Sequence, residues 1–232
     1  MEEPVESPAS IAIQKRYSAL AETKACLSCG TAASRCEPAL GEVCVDLGCG
    51  RGAVALRLGA RVGPEGRVFG VDVTPAMLEV ARARAAEAGL SNVTFISSSF
   101  ESLDLEGDLA HWVVSNCALN HARDKARVWG EISRVLRPGG RFVVSDIYAV
   151  EPIAEQYRDD PVAVAECWAG AETKEAYLEH IAQAGLVEVV VSDESEPYEK
   201  AHARLVSFTI SGVKPTRPSV AFEGARNPHA KR

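Results

Sequence analysis

The sequence predicts an α/β protein with a doubly wound, mainly parallel seven-stranded sheet and a small capping segment. Three observations predict it. From residue 42 onward, short apolar runs alternate with segments of helical length. The first run opens directly into a glycine-rich turn, and the second ends on an aspartate. Strands that alternate with such helices return by right-handed crossovers and lie parallel. At 232 residues and 47% hydrophobic, the chain can bury the core of one sizeable domain.

Taken in order, residues 1–10 read as disordered. Residues 11–25 can form a short amphipathic helix with Ile11, Tyr17 and Leu20 on one side, and a loop rich in Cys, Ser, Gly and Thr leads on to Leu40. Residues 43–47 are an apolar strand that runs into Gly48-Cys49-Gly50-Arg51-Gly52, and residues 53–61 read as helix. Residues 67–71 are a second strand, closed by Asp72. Thr74 is a good N-cap with Pro75 at the first helical position, Met77, Leu78 and Ala81 begin an apolar face, and Gly89 ends the helix. Strands follow at 92–96 and 111–115, a helix at 123–136, a turn at Arg137-Pro138-Gly139-Gly140 and a strand at 141–145. Residues 149–170 are irregular and are expected to cap the sheet. A helix at 173–184 and strands at 186–191 and 204–211 complete the pattern. The acidic stretch 194–199 reads as a solvated loop, and the Pro-, Arg- and Lys-rich residues from 214 as a disordered tail. The expected organisation is an N-terminal helix and cysteine loop (1–40), a cofactor-binding core (41–148), a cap with the remaining sheet (149–213) and the tail (214–232).

A net charge of −7 without a long basic run argues against nucleic acid or an anionic membrane as the main partner. No apolar stretch reaches the ~20 residues of a membrane span. The start, MEEPVESPAS, is too acidic and polar for a signal or transit peptide, so a cytoplasmic protein is expected. The seven cysteines are odd in number, and in a reducing compartment they point to metal, metalloid or redox chemistry rather than a disulfide framework.

The glycine-rich turn alone fits several nucleotide cofactors. Asp46, two residues before it, narrows the choice. A carboxylate there suits the cationic methionyl end of S-adenosylmethionine, directly or through water, and would repel a dinucleotide pyrophosphate. Asp72 stands where a strand-end carboxylate accepts ribose hydroxyls in either case. Val45-Asp46-Leu47-Gly48-Cys49-Gly50-Arg51-Gly52, Asp72 and Leu136-Arg137-Pro138-Gly139-Gly140 together resemble the successive motifs of class I S-adenosylmethionine-dependent methyltransferases, over residues 42–147. The resemblance implies a Rossmann-like methyltransferase fold. It implies that Asp46, Gly48 and Gly50 surround the methionine part, that Asp72 holds the ribose, that Ser99 and Phe100 border the adenine, and that Asn116 lies near the sulfonium. Cys49, Val73 and Met77 are counted with them as cofactor-binding. That family often carries an acid where Ser99 stands.

Cys117 lies just past the carboxyl end of a strand, the edge of an open α/β sheet where ligands bind. Cys167 lies in the capping segment, which can fold back over that edge. Paired thiols suit a soft, thiophilic acceptor such as arsenic(III), which thiolates hold while its lone pair stays available. Ser115-Asn116-Cys117 with Asn120 and Asp124-Lys125, Asp160-Pro161 with Glu166-Cys167, and Lys24-Ala25-Cys26 after a helix carrying Tyr17 are similar to stretches of the arsenite methyltransferases. The resemblance implies that Cys117 and Cys167 hold arsenic(III), delivered as a thiol complex. Cys26 or Cys29 would join as a further thiol or a redox partner, Tyr17 would help close the cofactor site, and a cellular thiol would serve as reductant. Where that subfamily commonly has adjacent N-terminal cysteines, this chain has Cys26-Leu27-Ser28-Cys29, a spacing that also fits half a zinc site or a redox pair. The protein's expected share of the chemistry is positioning, and keeping the thiols as thiolates. Cys44 and Cys36 read as core and loop residues, and His121 as a solvated loop histidine. The alternatives at this stage are a methyltransferase acting on O, N or C of an organic molecule, and a non-enzymatic thiophilic binder.

Overall fold

The computed structural model describes residues 7–23 and 30–216. Cys26, Cys29 and most of the tail lie outside the described residues. Helix α1 (Pro8–Leu20) starts three residues earlier than expected, because Ser7 caps it by accepting from the Ser10 amide and Pro8 sits in its first turn. A short helix α2 (Ala32–Arg35) occupies the loop expected before Leu40. Strand β1 (Val43–Leu47), helix α3 (Ala53–Val62), strand β2 (Arg67–Asp72), helix α4 (Pro75–Glu87), strand β3 (Val93–Ser97) and strand β4 (Ala110–Asn116) then follow the alternation in the sequence.

Helix α5 (Lys125–Val135) gives way directly to strand β5 (Leu136–Ala149). The turn expected at 137–140 is a bulge inside β5: its register with β4 jumps from Ala110–Leu136 to Trp112–Arg141, so one residue of β4 stands against four of β5. The cap consists of helices α6 (Glu155–Arg158) and α7 (Pro161–Ala165) and a 3-10 turn at Trp168–Gly170. Helix α8 (Lys174–Gln183) and strands β6 (Val187–Ser192), β7 (Tyr198–Lys200) and β8 (Ala203–Val213) complete the chain. Strand β7 lies partly in the stretch read as a solvated loop; main-chain pairing with Leu205, Arg204 and Ala203 of β8 makes it a strand although all three of its residues are exposed.

Seven strands run in the order β3-β2-β1-β4-β5-β8-β6, with β7 paired to β8 off this path. β1 to β5 are parallel, and β8 is antiparallel to both β5 and β6. Neighbouring residues of each strand bury on opposite faces: Val45 and Val113 pack with Trp129, Phe142 and Tyr177, whereas Cys44 and Val114 pack with Leu58 and Leu78. A third cluster, with Ile147, Val164, Trp168 and Leu205, seats the cap on the sheet. The strand order reverses between β1 and β4, and a crevice opens there beyond their carboxyl ends.

Candidate active site

The crevice holds two cavities that share a wall. The first is lined by Gly48 and Gly50 of the glycine-rich turn, Asp72, Val73, Thr74 and Met77 at and beyond the end of β2, Phe100 after β3, Asn116, Cys117 and Ala118 at and beyond the end of β4, and Ile13 and Tyr17 of α1 with His121. Gly48 is obligatory here. Its φ is +72°, and a Cβ would stand 2.2 Å from that of Ala118. Asp72 is fixed by two main-chain donors, Gly50 N–H at 3.0 Å on Oδ2 and Thr74 N–H at 2.9 Å on Oδ1, and burial raises its pKa. Both side-chain polar atoms of Asn116 are buried with no hydrogen-bond partner among the described residues. A buried amide left so marks a place where a ligand supplies the partner.

The second cavity lies beyond Tyr17 and Cys117, which line both. Its wall includes Cys167 and Glu166 of the cap, Ser145, Asp146 and Ile147 of β5, Lys200 of β7, and Gly30 and Thr31. Cys117 and Cys167 meet here: the Cys167 thiol points at the Cys117 carbonyl oxygen, 3.9 Å away. The cap is held against the Cys117 turn by close contact at Gly170, where a Cβ would stand 1.8 Å from the Asn120 carbonyl oxygen. Buried Asp146 braces the same turn by accepting from Leu119 N–H (3.1 Å), Asn120 Nδ2 (2.9 Å) and Ile147 N–H (2.9 Å). Both cysteines have left-handed backbones, φ 53° at Cys117 and 75° at Cys167. Such a conformation is costly for a residue with a Cβ and clusters at functional sites. Among the described residues no group of three His, Cys, Asp or Glu is placed to hold a metal ion, so the pair stands without a third such ligand there.

Several expectations need correction. Asp46 is buried and absent from the cavity wall; its carboxylate accepts from the Ala55 amide beneath the glycine-rich turn, and burial raises its pKa to about 7. The reason is its place inside β1, paired with Gly70 and Val114 on either side. The Cys49 side chain turns away from the cavity into the core with Cys44 and Phe95. Ser99 is exposed, off the cavity wall, and its hydroxyl accepts from Glu101 N–H in a local turn. Cys36, expected in a loop, is buried in the core beside Cys44. His121 is not solvated. It lines the first cavity between Tyr17 and the cap, and burial lowers its pKa to about 4. Nor is Cys167 held as a thiolate: burial first, then Asp146 and Cys117, push its pKa well above the ordinary thiol value. Gly48, Gly50, Asp72, Val73, Met77, Phe100, Asn116, Tyr17, Cys117 and Cys167 all line one cavity or both. Sequence reasoning missed Asp146 and Lys200, which only tertiary folding brings to the second cavity.

The methyltransferase domain family matches residues 40–185. An arsenite methyltransferase of Halobacterium salinarum is 36% identical over 200 residues, which are 82% of this chain and 51% of that protein. The arsenite methyltransferase of Homo sapiens is 37% identical over 136 residues, 55% of this chain and 36% of that protein. The chain thus spans about half, or less, of the length of these curated relatives. The crystal structure of an arsenic(III) S-adenosylmethionine methyltransferase from Chlamydomonas reinhardtii superposes with a TM-score of 0.68 at 33% identity, covering 88% of this chain and 74% of that one. The family match takes in the glycine-rich turn, Asp72 and both cavity cysteines, and the sheet order and crevice carry the same pattern in three dimensions: the chain belongs to the methyltransferase domain family.

Proposed function

We propose that this protein methylates arsenic(III) with S-adenosylmethionine, the acceptor being held by Cys117 and Cys167 and a third thiol from Cys26 or Cys29. The observation that carries the reading is the meeting of two left-handed cysteines, one on the wall that separates the two cavities. The first cavity fits the methyl donor. It offers a strand-end carboxylate for the ribose, a glycine cradle that a Cβ would fill, and in Asn116 a buried amide awaiting a partner. Asp72, Gly48, Gly50, Val73, Met77, Phe100, Asn116 and Tyr17 would hold the donor, while Asp46 braces the turn from behind. When bound, S-adenosylmethionine supplies an electrophilic methyl group that the arsenic lone pair can take in line.

This chain's residues bind and orient the acceptor. Arsenic arrives as a complex with carrier thiols. As each arsenic–sulfur bond to a protein thiol forms, one bond to a carrier breaks, and the departing carrier sulfur takes the proton from the cysteine. The exchange is neutral in charge and redox state, so a protonated Cys167 is a competent partner. Gly30 and Thr31 line the acceptor cavity, and the proposed third thiol is Cys26 or Cys29. Two equivalents of a cellular thiol, leaving as a disulfide, would restore trivalent arsenic after the lone pair has been used. The proposed division of labour is donor binding by residues 41–148 and acceptor capping by 149–213. No described helix is long and apolar enough to cross a membrane, and the acidic charge fits the proposed place in the cytoplasm.

The test is incubation with S-adenosylmethionine, a thiol reductant and arsenite, followed by chromatography with arsenic-specific detection. Methylated arsenic that disappears with Cys117→Ser or Cys167→Ser supports the reading. Donor binding without any arsenic product would move the acceptor to an organic molecule.

A further inference from the structure

Two side chains 104 residues apart close the first cavity. The Tyr17 hydroxyl lies 2.9 Å from His121 Nε2, with the rings edge to face at 5.4 Å, and His121 Nδ1 lies 3.0 Å from the Val164 carbonyl oxygen. A carbonyl only accepts, so Nδ1 carries the ring proton. In a neutral imidazole Nε2 is then a lone pair, and the Tyr17 hydroxyl donates to it. This chain of bonds joins α1 to the turn after Cys117 and then to α7, three residues before Cys167. Among the described residues of α1, Tyr17 alone lines both cavities, standing with Cys117 on their common wall.

We propose that His121 is a positioning residue: its neutral ring latches Tyr17 over the donor cavity and ties the closed position of α1 to the cap that carries Cys167. The proposal rests on the methyltransferase reading for its purpose, though not for the latch itself. The surroundings keep the ring neutral. Arg16 of α1, Lys125 of α5 and Lys200 of β7 all oppose a charge on it, as does burial, while Arg123, Glu155, Arg158 and Asp159 line a further cleft together with His121. Burial is the first cause of the ring's low pKa, about 4, so an opening that hydrates the ring would raise it toward the ordinary histidine range near 6.5. Protons therefore compete with the latch: the closed-to-open ratio levels off above pH ~6.5 and falls by up to ~10-fold per pH unit below it.

Three proteins test this: wild type, His121→Gln and His121→Leu. The glutamine amide can place its oxygen toward Tyr17 and its NH2 toward Val164, without titrating. Two readouts are taken: S-adenosylhomocysteine affinity by calorimetry at pH 7.5 and 5.5, and hydrogen exchange of the α1 amides in the ligand-free protein. The expected result is an affinity loss of severalfold, up to about tenfold, at pH 5.5 for wild type, with the loss much reduced in His121→Gln, whose pH 7.5 affinity stays near wild type. His121→Leu is expected to bind about tenfold more weakly at both pH values and to exchange faster along α1. A His121→Leu protein with wild-type affinity and exchange, or a His121→Gln protein with the wild-type pH slope, overturns the proposal. Failure of wild type to bind the ligand would overturn the donor assignment instead, and the exchange comparison would still decide the latch.

Discussion

Cys117 and Cys167 combine an awkward backbone with a reactive side chain. A left-handed conformation costs a residue with a Cβ roughly 1–2 kcal/mol, a cost glycine avoids. If the thiols merely filled space, glycine would serve well at either position. The expectation for Cys167 is therefore an inverted stability order. Cys167→Gly should be at least as stable as Cys167→Ala, measured by chemical denaturation, where elsewhere glycine is the weaker by ~0.5–1 kcal/mol. Both variants, and Cys167→Ser, should lose transfer to arsenic by at least ~100-fold while binding S-adenosylhomocysteine as wild type does. A Cys167→Gly protein that still methylates arsenic would reduce the residue to packing.

Among the elements, the turn between β1 and α3 is tightly constrained, with Gly48, Gly50 and Gly52 all at positive φ. In Gly48→Ala the new methyl would meet the Ala118 Cβ at 2.2 Å from a φ of +72°, so both the turn and the strand-end loop beside it must move. We expect a loss of ~1–3 kcal/mol in stability and at least a tenfold loss of S-adenosylhomocysteine affinity, read by denaturation and calorimetry. Wild-type affinity in that variant would show that the turn does not cradle the donor. This turn was legible in the sequence because its signals are local: an apolar run of strand length, glycines at the exit and a helix start immediately after. β1 lies at the expected residues, and β2 and α3 to within one. The elements that escaped have no such signal. Helix α2 has four residues, β7 owes its existence to pairing with β8, and the bulge in β5 is set by register with β4. The same holds within the site. Gly48, Asp72 and Cys117 could be placed because strand ends converge at one edge of a parallel sheet. The burial of Asp46 between β2 and β4 and the capture of His121 by Tyr17 depend on neighbours distant in sequence, and the retreat of Ser99 into a local turn has no residue-type signal.

For the whole molecule, these buried ionisable groups set how stability follows pH. Burial holds Asp46 near 7 and Asp146 near 6 and raises Asp72, whereas in the unfolded chain each titrates near 4. Between those limits the folded protein keeps protons that the unfolded chain has released, so the carboxylates make stability fall as pH rises from about 4 to 7. His121 acts in the opposite sense. Its folded value is near 4 and its unfolded value near 6.5, so its share of stability grows over pH 4 to 6.5. With three carboxylates against one imidazole, the ligand-free protein should be more stable at pH 5 than at pH 7.5. The effect can be assigned to one residue through Asp46→Asn, whose amide oxygen can still accept from the Ala55 amide. The variant should match wild type near pH 4, gain on it steadily as pH rises, and hold a constant advantage of a few kcal/mol at most above pH ~7.5. Because Asp46 is off the cavity wall, the substitution should also weaken S-adenosylhomocysteine binding less than Asp72→Asn does. A stability difference between Asp46→Asn and wild type that stays flat from pH 4 to 8 would mean that the Asp46 carboxylate is as well solvated or paired in the folded protein as in the unfolded chain. The account of Asp46 as a strained brace beneath the donor turn would then fail, and direct contact with the donor would regain its place.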